Sequence, residues 1–156
     1  MLGARKLLWI NAAIATVAAC AVLCAALPGT PQTVEELKAR INSVSPGDRP
    51  QLCVQVAQRQ LEAADKLYAA VETEKAQATL ADVIAFSEQA RDYSIQSHKH
   101  EKQIEIEVRR MTRKLTDIKR TLTREEQPAL DNAIAHLQRV RDDLLLAMFP
   151  KVPNAR

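Results

Sequence analysis

Between Pro50 and Pro128 the chain contains neither proline nor glycine. These two residues are the strongest local interrupters of regular structure. So long an interval without them restricts the chain to long helices with few breaks. Composition points the same way. Aromatic residues make up 3% of the chain, and Ala, Leu, Glu, Lys, Arg and Gln dominate, which favours helix and gives little to build a sheet from. The expected fold is all-α: an elongated antiparallel helical hairpin or bundle with coiled-coil-like packing.

The punctuation and the apolar periodicity place the elements. Thr33-Val34-Glu35-Glu36 has the form of a capping box and opens a short first helix, with Val34, Leu37, Ile41 and Val44 on one stripe. Ser45 to Pro50, "SPGDRP", ends it, and Pro50 opens a second helix in the tolerated first turn. Its stripe runs through Leu52, Val56, Ala63, Leu67 and Ala70, flanked by Cys53, Leu61 and Ala64, and ends near Val71 to Thr73. The segment Leu67 to Phe86 resembles the turn of a tetratricopeptide-type helical hairpin. Leu67, Tyr68 and Ala76 carry that resemblance, with Val71 in the place of the usual glycine and no closing proline. The resemblance implies an antiparallel hairpin.

A long central helix follows, beginning near Glu74 or Thr79 and spanning about 79–122. Its stripe reads Val83, Phe86, Ala90, Tyr93, Ser97, His100, Ile104, Val108, Met111, Leu115, Ile118 and Leu122, with a stutter between Ile104 and Val108. The stripe is least apolar around Ser97 to His100, where a kink would fold the rod back into a compact bundle. With no proline or glycine there, a continuous rod is the expectation. The last helix runs from about Pro128 to Phe149, with Leu130, Ile134, Leu137, Val140, Leu144 and Met148 inward. A faint internal repeat aligns Val44, Ser45, Pro50 and Leu52 with Leu122, Thr123, Pro128 and Leu130.

At the amino terminus, Arg5 and Lys6 precede the apolar run Leu7 to Leu27, and "PGTPQT" follows. This reads as an export signal over 1–26, with small Cys24 and Ala26 ahead of a cut before Leu27. Residues 27–32 would be a linker, 33–149 the helical domain and 150–156 a tail. Two alternatives stay open. Val17 to Cys20, "VAAC", resembles a bacterial lipobox, which would make Cys20 a lipidation site. A retained membrane anchor is the other, since the apolar run at ~1.5 Å per residue spans about 30 Å and leaves Arg5 and Lys6 inside. All three place residues 33–156 in the periplasm or at the outer face of the cytoplasmic membrane. Cleavage would leave Cys53 as the sole cysteine, read as a small buried apolar residue.

Chemistry-bearing motifs are sparse. "SHKHEKQIE" supplies the candidate metal ligands His98, His100, Glu101 and Glu105. His98 with Glu101, and Glu101 with Glu105, have one-face helical spacing, whereas His98 and His100 diverge by about 200°. There is no HExxH, no CxxC, no glycine-rich phosphate loop and no nucleophile elbow. A non-enzymatic protein is therefore expected, with no cofactor and no small-molecule substrate.

Charge is the more informative signal. The 22 basic and 19 acidic residues lose only two bases with the signal, so the remaining chain is near neutral and any charge effect is local. Glu62 to Asp92 is acid-rich and Lys99 to Arg124 base-rich. Within the latter, Arg109, Arg113 and Arg120 share one helix side, and Arg110 and Lys114 an adjacent one. This basic face is the expected interaction surface. Its expected partners are an acidic protein, an anionic membrane surface or a cell-wall polymer. The opposed acid-rich and base-rich halves also suit self-association as an antiparallel dimer. Nucleic acid is not expected, given the export signal and the scarcity of aromatics. The reading is an exported helical interaction or scaffold protein. "LTREEQ", Leu122 to Gln127, is similar to the LTxxQ signature of small periplasmic helical stress chaperones and metal sensors, with Glu126 in the glutamine's place. That resemblance implies an alternative: a chaperone or metal-responsive protein using this turn and the His98–Glu105 belt.

Overall fold

A computed structural model describes residues 32–150. The expected signal or anchor over 1–26, Cys20 and the tail after residue 150 lie outside the described residues. Within them the chain forms five helices and no strand: α1 (Val34–Ile41), α2 (Arg49–Ala69), α3 (Thr73–Ser97), α4 (Glu101–Thr121) and α5 (Gln127–Met148). The capping box of α1 is present. The Thr33 hydroxyl accepts from the Glu36 amide at 3.2 Å, and the Glu36 carboxylate accepts from the Thr33 amide at 3.0 Å.

Two antiparallel hairpins, α2–α3 and α4–α5, stack into a bundle. Long-range pairs set their order. Gln58–Glu107 and Asp65–Lys114 place α4 beside α2, while Glu88–His136 and Arg91–Asp143 place α5 beside α3. The α2–α3 contact is the most extensive, and α1 lies on α2. Leu37 and Ile41 of α1 explain why the first half of α2 is buried on several sides, at Leu52, Cys53, Val54, Val56 and Ala57. Elsewhere each helix buries one heptad stripe: Ala57, Leu61, Ala64 and Tyr68 in α2; Ala76, Leu80, Val83, Ser87, Ala90 and Ser94 in α3; Ile104, Val108, Met111, Leu115 and Ile118 in α4; Leu130, Ala133, Leu137, Val140 and Leu144 in α5. Full burial of each large aliphatic side chain contributes about 1.5–3 kcal/mol.

The continuous rod over 79–122 is not what forms. The helix stops at Ser97 and restarts at Glu101, with His98 (φ 51) and His100 (φ 65) in the left-handed region. Ser97 donates to the Tyr93 carbonyl at 2.6 Å, and Ser94 donates to the Lys99 carbonyl at 2.5 Å. The Lys99 and His98 amides close the end of α3 onto Ser94 and Ile95 at 3.3 and 3.4 Å. The Ser97 bond is the ordinary bond to the carbonyl four residues back, as at Ser87, whereas Ser94 reaches a carbonyl that faces it only once the chain has left the helix. The fold-back lets the two hairpins bury their stripes against each other within one chain. A lone rod would leave them uncovered.

The inward face of the helices also differs from the expected one. In α3, Phe86 and Tyr93 are half-buried flankers, and the small Ser87 and Ser94 occupy the core. Ser87 is accommodated by donating to the Val83 carbonyl at 2.7 Å. In α2, Ala63 and Leu67 are half-buried and Ala70 is exposed, while Leu61 and Ala64 point inward. Met148 and Ile134 of α5 are half-buried, and Ala133 takes the core position. The expected stutter at Ile104–Val108 came from counting through Phe86 and Tyr93. The buried stripe itself has none.

The internal repeat holds in the turns and as far as the buried pair Leu52 and Leu130, and ends there. Ser45 bonds Asp48 at 2.7 Å, and the Asp48 amide donates to the Ser45 carbonyl at 3.0 Å. Thr123 and Glu126 make the same pair of bonds at 2.8 and 3.1 Å. Beyond that pair the buried faces separate. Ala57, Leu61 and Ala64 are in the core, but their counterparts Ala135, Arg139 and Asp142 are exposed.

Candidate functional site

The sequence-expected basic face is carried by the second half of α4. Lys119 and Arg120 lie in its last turn, where the helix dipole favours cations. The core stripe fixes the rotation of α4. Arg109, Arg113 and Arg120 are held on the outer side, opposite Met111 and Leu115, and all three are exposed. Lys102 continues the same strip, seven positions before Arg109. Sequence reasoning omitted it, although the spacing was available. From Lys102 to Arg120 the strip is about 27 Å long at 1.5 Å per residue.

Arg110 and Lys114 turn instead toward α2. With Met111 they form one wall of a shallow groove of about 410 Å³ whose other wall is Gln58, Leu61 and Glu62. Lys114 pairs with Asp65 of α2 at 2.5 Å. Arg110 pairs with Glu107 at 3.0 Å, and Glu107 also accepts from Gln58 at 2.6 Å. The structure therefore divides the five basic residues. Lys114 pairs across the α2/α4 seam, Arg110 stands exposed at its rim on Glu107 of its own helix, and Arg109, Arg113 and Arg120 face outward. Arg109 sits 3.8 Å from Glu105, and Arg120 3.1 Å from Asp117. Among the described residues, Arg113 and Lys102 make no ion pair.

The His98–Glu105 belt does not converge. His98 is exposed, with Nδ1 3.8 Å from Glu101. His100 Nδ1 faces Gln51 Nε2 at 3.1 Å. Glu105 is buried and accepts from Arg141 of α5 at 2.8 Å, so its charge is already neutralised inside the bundle. Among the described residues no group of three or more His, Cys, Asp or Glu side chains is placed to hold a metal ion.

"LTREEQ" forms the α4–α5 turn. Glu126 accepts from the Thr123 amide and hydroxyl, and from Thr73 Oγ1 at 2.7 Å across the bundle. These bonds, led by that from Thr73, hold the Glu126 carboxyl below its ordinary value. Gln127 donates to the Leu122 carbonyl at 3.1 Å. The glutamate standing in the glutamine's place thus ties two hairpins together at one end. Two other groups are perturbed by burial in the core. The Cys53 thiol is pushed up to about 11, and Tyr68 is raised by burial and then by the nearby Glu126 charge.

Among the described residues no helix is long and apolar enough to cross a membrane. Comparison of the chain with family models, with curated proteins and with solved structures gives no match. The class the structure defines is an all-α helical bundle.

Proposed function

We propose that this chain is an exported, non-enzymatic interaction module that offers the outer face of α4 to an anionic partner at the cell envelope. One observation carries the proposal. Lys102, Arg109, Arg113 and Arg120 share a single exposed strip, and two of the four have no ion pair among the described residues. The exposed Arg120–Asp117 pair contributes about 0–1 kcal/mol and exchanges readily for an external anion. The partner chemistry is an extended array of negative charge, such as an anionic lipid surface, a cell-wall polymer or an acidic protein face.

The test is co-sedimentation with vesicles containing anionic lipid, compared with neutral ones, at low and high salt. Wild-type protein should bind the anionic vesicles and lose affinity as salt rises. Arg109→Glu/Arg113→Glu/Arg120→Glu should weaken capture at least about tenfold, since each reversal replaces attraction with repulsion. Capture unchanged by the triple reversal would leave this face as solvated surface. The export half of the proposal is tested by the intact mass from soluble and membrane fractions. Chains beginning at Leu27, or lipidated at Cys20, support it, and a full-length chain in the cytoplasmic fraction alone opposes it.

A further inference from the structure

The break at His98–His100 has a property that the other connections within the bundle lack. On α3 the buried stripe steps through Ala76, Leu80, Val83, Ser87, Ala90 and Ser94. On α4 it steps through Ile104, Val108, Met111, Leu115 and Ile118. Continue the α3 heptad through the break and it passes Ser97 and Glu101, then lands on Ile104 and Val108 without a slip. The register is preserved as though α3 and α4 were one helix. Across Val71 the α2 stripe, continued in the same way, misses Ala76 and Leu80 by two positions. Across the α4–α5 turn it misses Ala133 and Leu137 by one. A slip of one or two residues swings the stripe by about 100° or 200°, so those two turns cannot be straightened without exposing a core face. The break at His98–His100 can.

Nothing in the hinge sequence forbids helix. Ser97, His98, Lys99, His100 and Glu101 include no proline or glycine. The folded-back form instead holds two non-glycine residues at positive φ, which straightening would relieve. Straightened, α3 and α4 become one rod of about 70 Å. Its single stripe would have to find partners in another chain. A second copy supplies them, because each α2–α3 hairpin fits the α4–α5 hairpin it already packs against. Asp65–Lys114, Gln58–Glu107, Glu88–His136 and Thr73–Glu126 would all re-form between copies. The hinge end of the bundle also carries the exposed Leu146 and Phe149, with Met148 beside His98 and His100. In an exchanged dimer the two half-bundles meet at that end, where these apolar side chains lie.

We propose that the His98–His100 break is an exchange hinge through which two copies of this chain trade hairpins. This inference is independent of what the basic strip binds. The ion pair between Asp65 and Lys114 provides the test. Full chains labelled with ¹⁴N and ¹⁵N are mixed, unfolded, refolded and treated with a carbodiimide, which couples adjacent carboxylates and amines. The Asp65–Lys114 conjugate is then read by mass. Conjugates of mixed label in the dimer fraction are the expected result. Dimers whose conjugates are all of single label would overturn the proposal, because they associate without exchange. His98→Ala/Lys99→Ala/His100→Ala should raise the dimerisation constant about a hundredfold by favouring helix through the hinge, and His98→Gly/His100→Gly should lower it about tenfold by easing the positive φ. If wild type and the alanine variant both stay monomeric at every concentration, the hinge does not open. If the alanine variant fails to fold, wild type that stays monomeric at every concentration overturns the proposal by itself.

Discussion

The chain reverses direction at Val71 and again at His98–His100, and the two reversals are built from similar parts. Each ends its helix on a non-glycine residue in the left-handed region, and each closes with two backbone bonds onto the preceding turn. At Val71 those bonds are 2.9 and 3.0 Å, and at His98 they are 3.4 and 3.3 Å. Both ends are tied across the bundle, the Val71 end through Thr73 to Glu126 and the hinge through His100 to Gln51. The core register differs most of all. It jumps at Val71 and runs straight through at His98–His100. The first reversal is a committed turn. The second is a helix folded back on itself, held by the contacts it makes rather than by the sequence of the hinge.

The largest effect should come from the stripe that both reversals serve. Leu115 is fully buried, and Leu115→Ala should cost about 3 kcal/mol in urea unfolding, whichever way the hairpins are paired. A loss near zero would mean that the stripe is not the core.

Next is the alkaline limit of the α1-covered part of α2. Cys53 is fully buried with its thiol raised from 9.0 to about 11. The unfolded chain ionises first, so stability is complete below pH 9 and declines between pH 9 and about 11. The loss from this group should be about 2 kcal/mol, and Cys53→Ala should remove it, leaving only the shallower slope of the raised Tyr68. Denaturation midpoints across this range, compared between the two proteins, give the answer.

Val71 is 83% exposed, so its side chain contributes little while its φ of 62 is strained. Val71→Gly should stabilise the protein by about 1 kcal/mol, read as a higher melting temperature. A destabilised variant would mean that the turn is not held at positive φ.

The smallest effect concerns the Thr73–Glu126 tie. Glu126 is held below its ordinary 4.5, so its contribution is present above about pH 4.5 and is lost as pH falls through the lowered value. The protection of the Thr123 and Glu126 amides against hydrogen exchange, taken relative to the intrinsic rate at each pH, should fall on acidification. Glu126→Gln should weaken that dependence, while exchange around His98 should not follow it.

Much of this fold was legible in the sequence because proline and capping residues announce themselves. Thr33, Pro50, Pro128 and the Val71 turn all mark helix ends. The break at His98 was legible only as an alternative, from the weakly apolar stripe at Ser97 to His100, and not as the preferred reading, because histidine, lysine and serine sit in helices at small cost. Their departure from helix here depends on long-range packing. The α3 face was misjudged for a related reason. Phe86 and Tyr93 outweigh Ser87 and Ser94 in hydrophobicity, yet it is the serines that continue the inner face set by Leu80, Val83 and Ala90. At the candidate site, helical spacing alone separated Arg109, Arg113 and Arg120 from Arg110 and Lys114. That Lys114 pairs with Asp65, and Glu105 with Arg141, could not be read, because each pair joins distant segments.

The buried stripes of α3 and α4 form one register folded at a hinge. Spin labels on the exposed Glu74 and Thr121, in chains diluted with unlabelled protein, measure this directly. The folded-back chain brings these positions to the same end of the bundle, within about 30 Å given interaxial distances of 8–10 Å and the reach of the labels. A hinge gives that distance in the monomer and about 70 Å in the dimer and in the alanine hinge variant. The short distance in every species, dimer included, would contradict it.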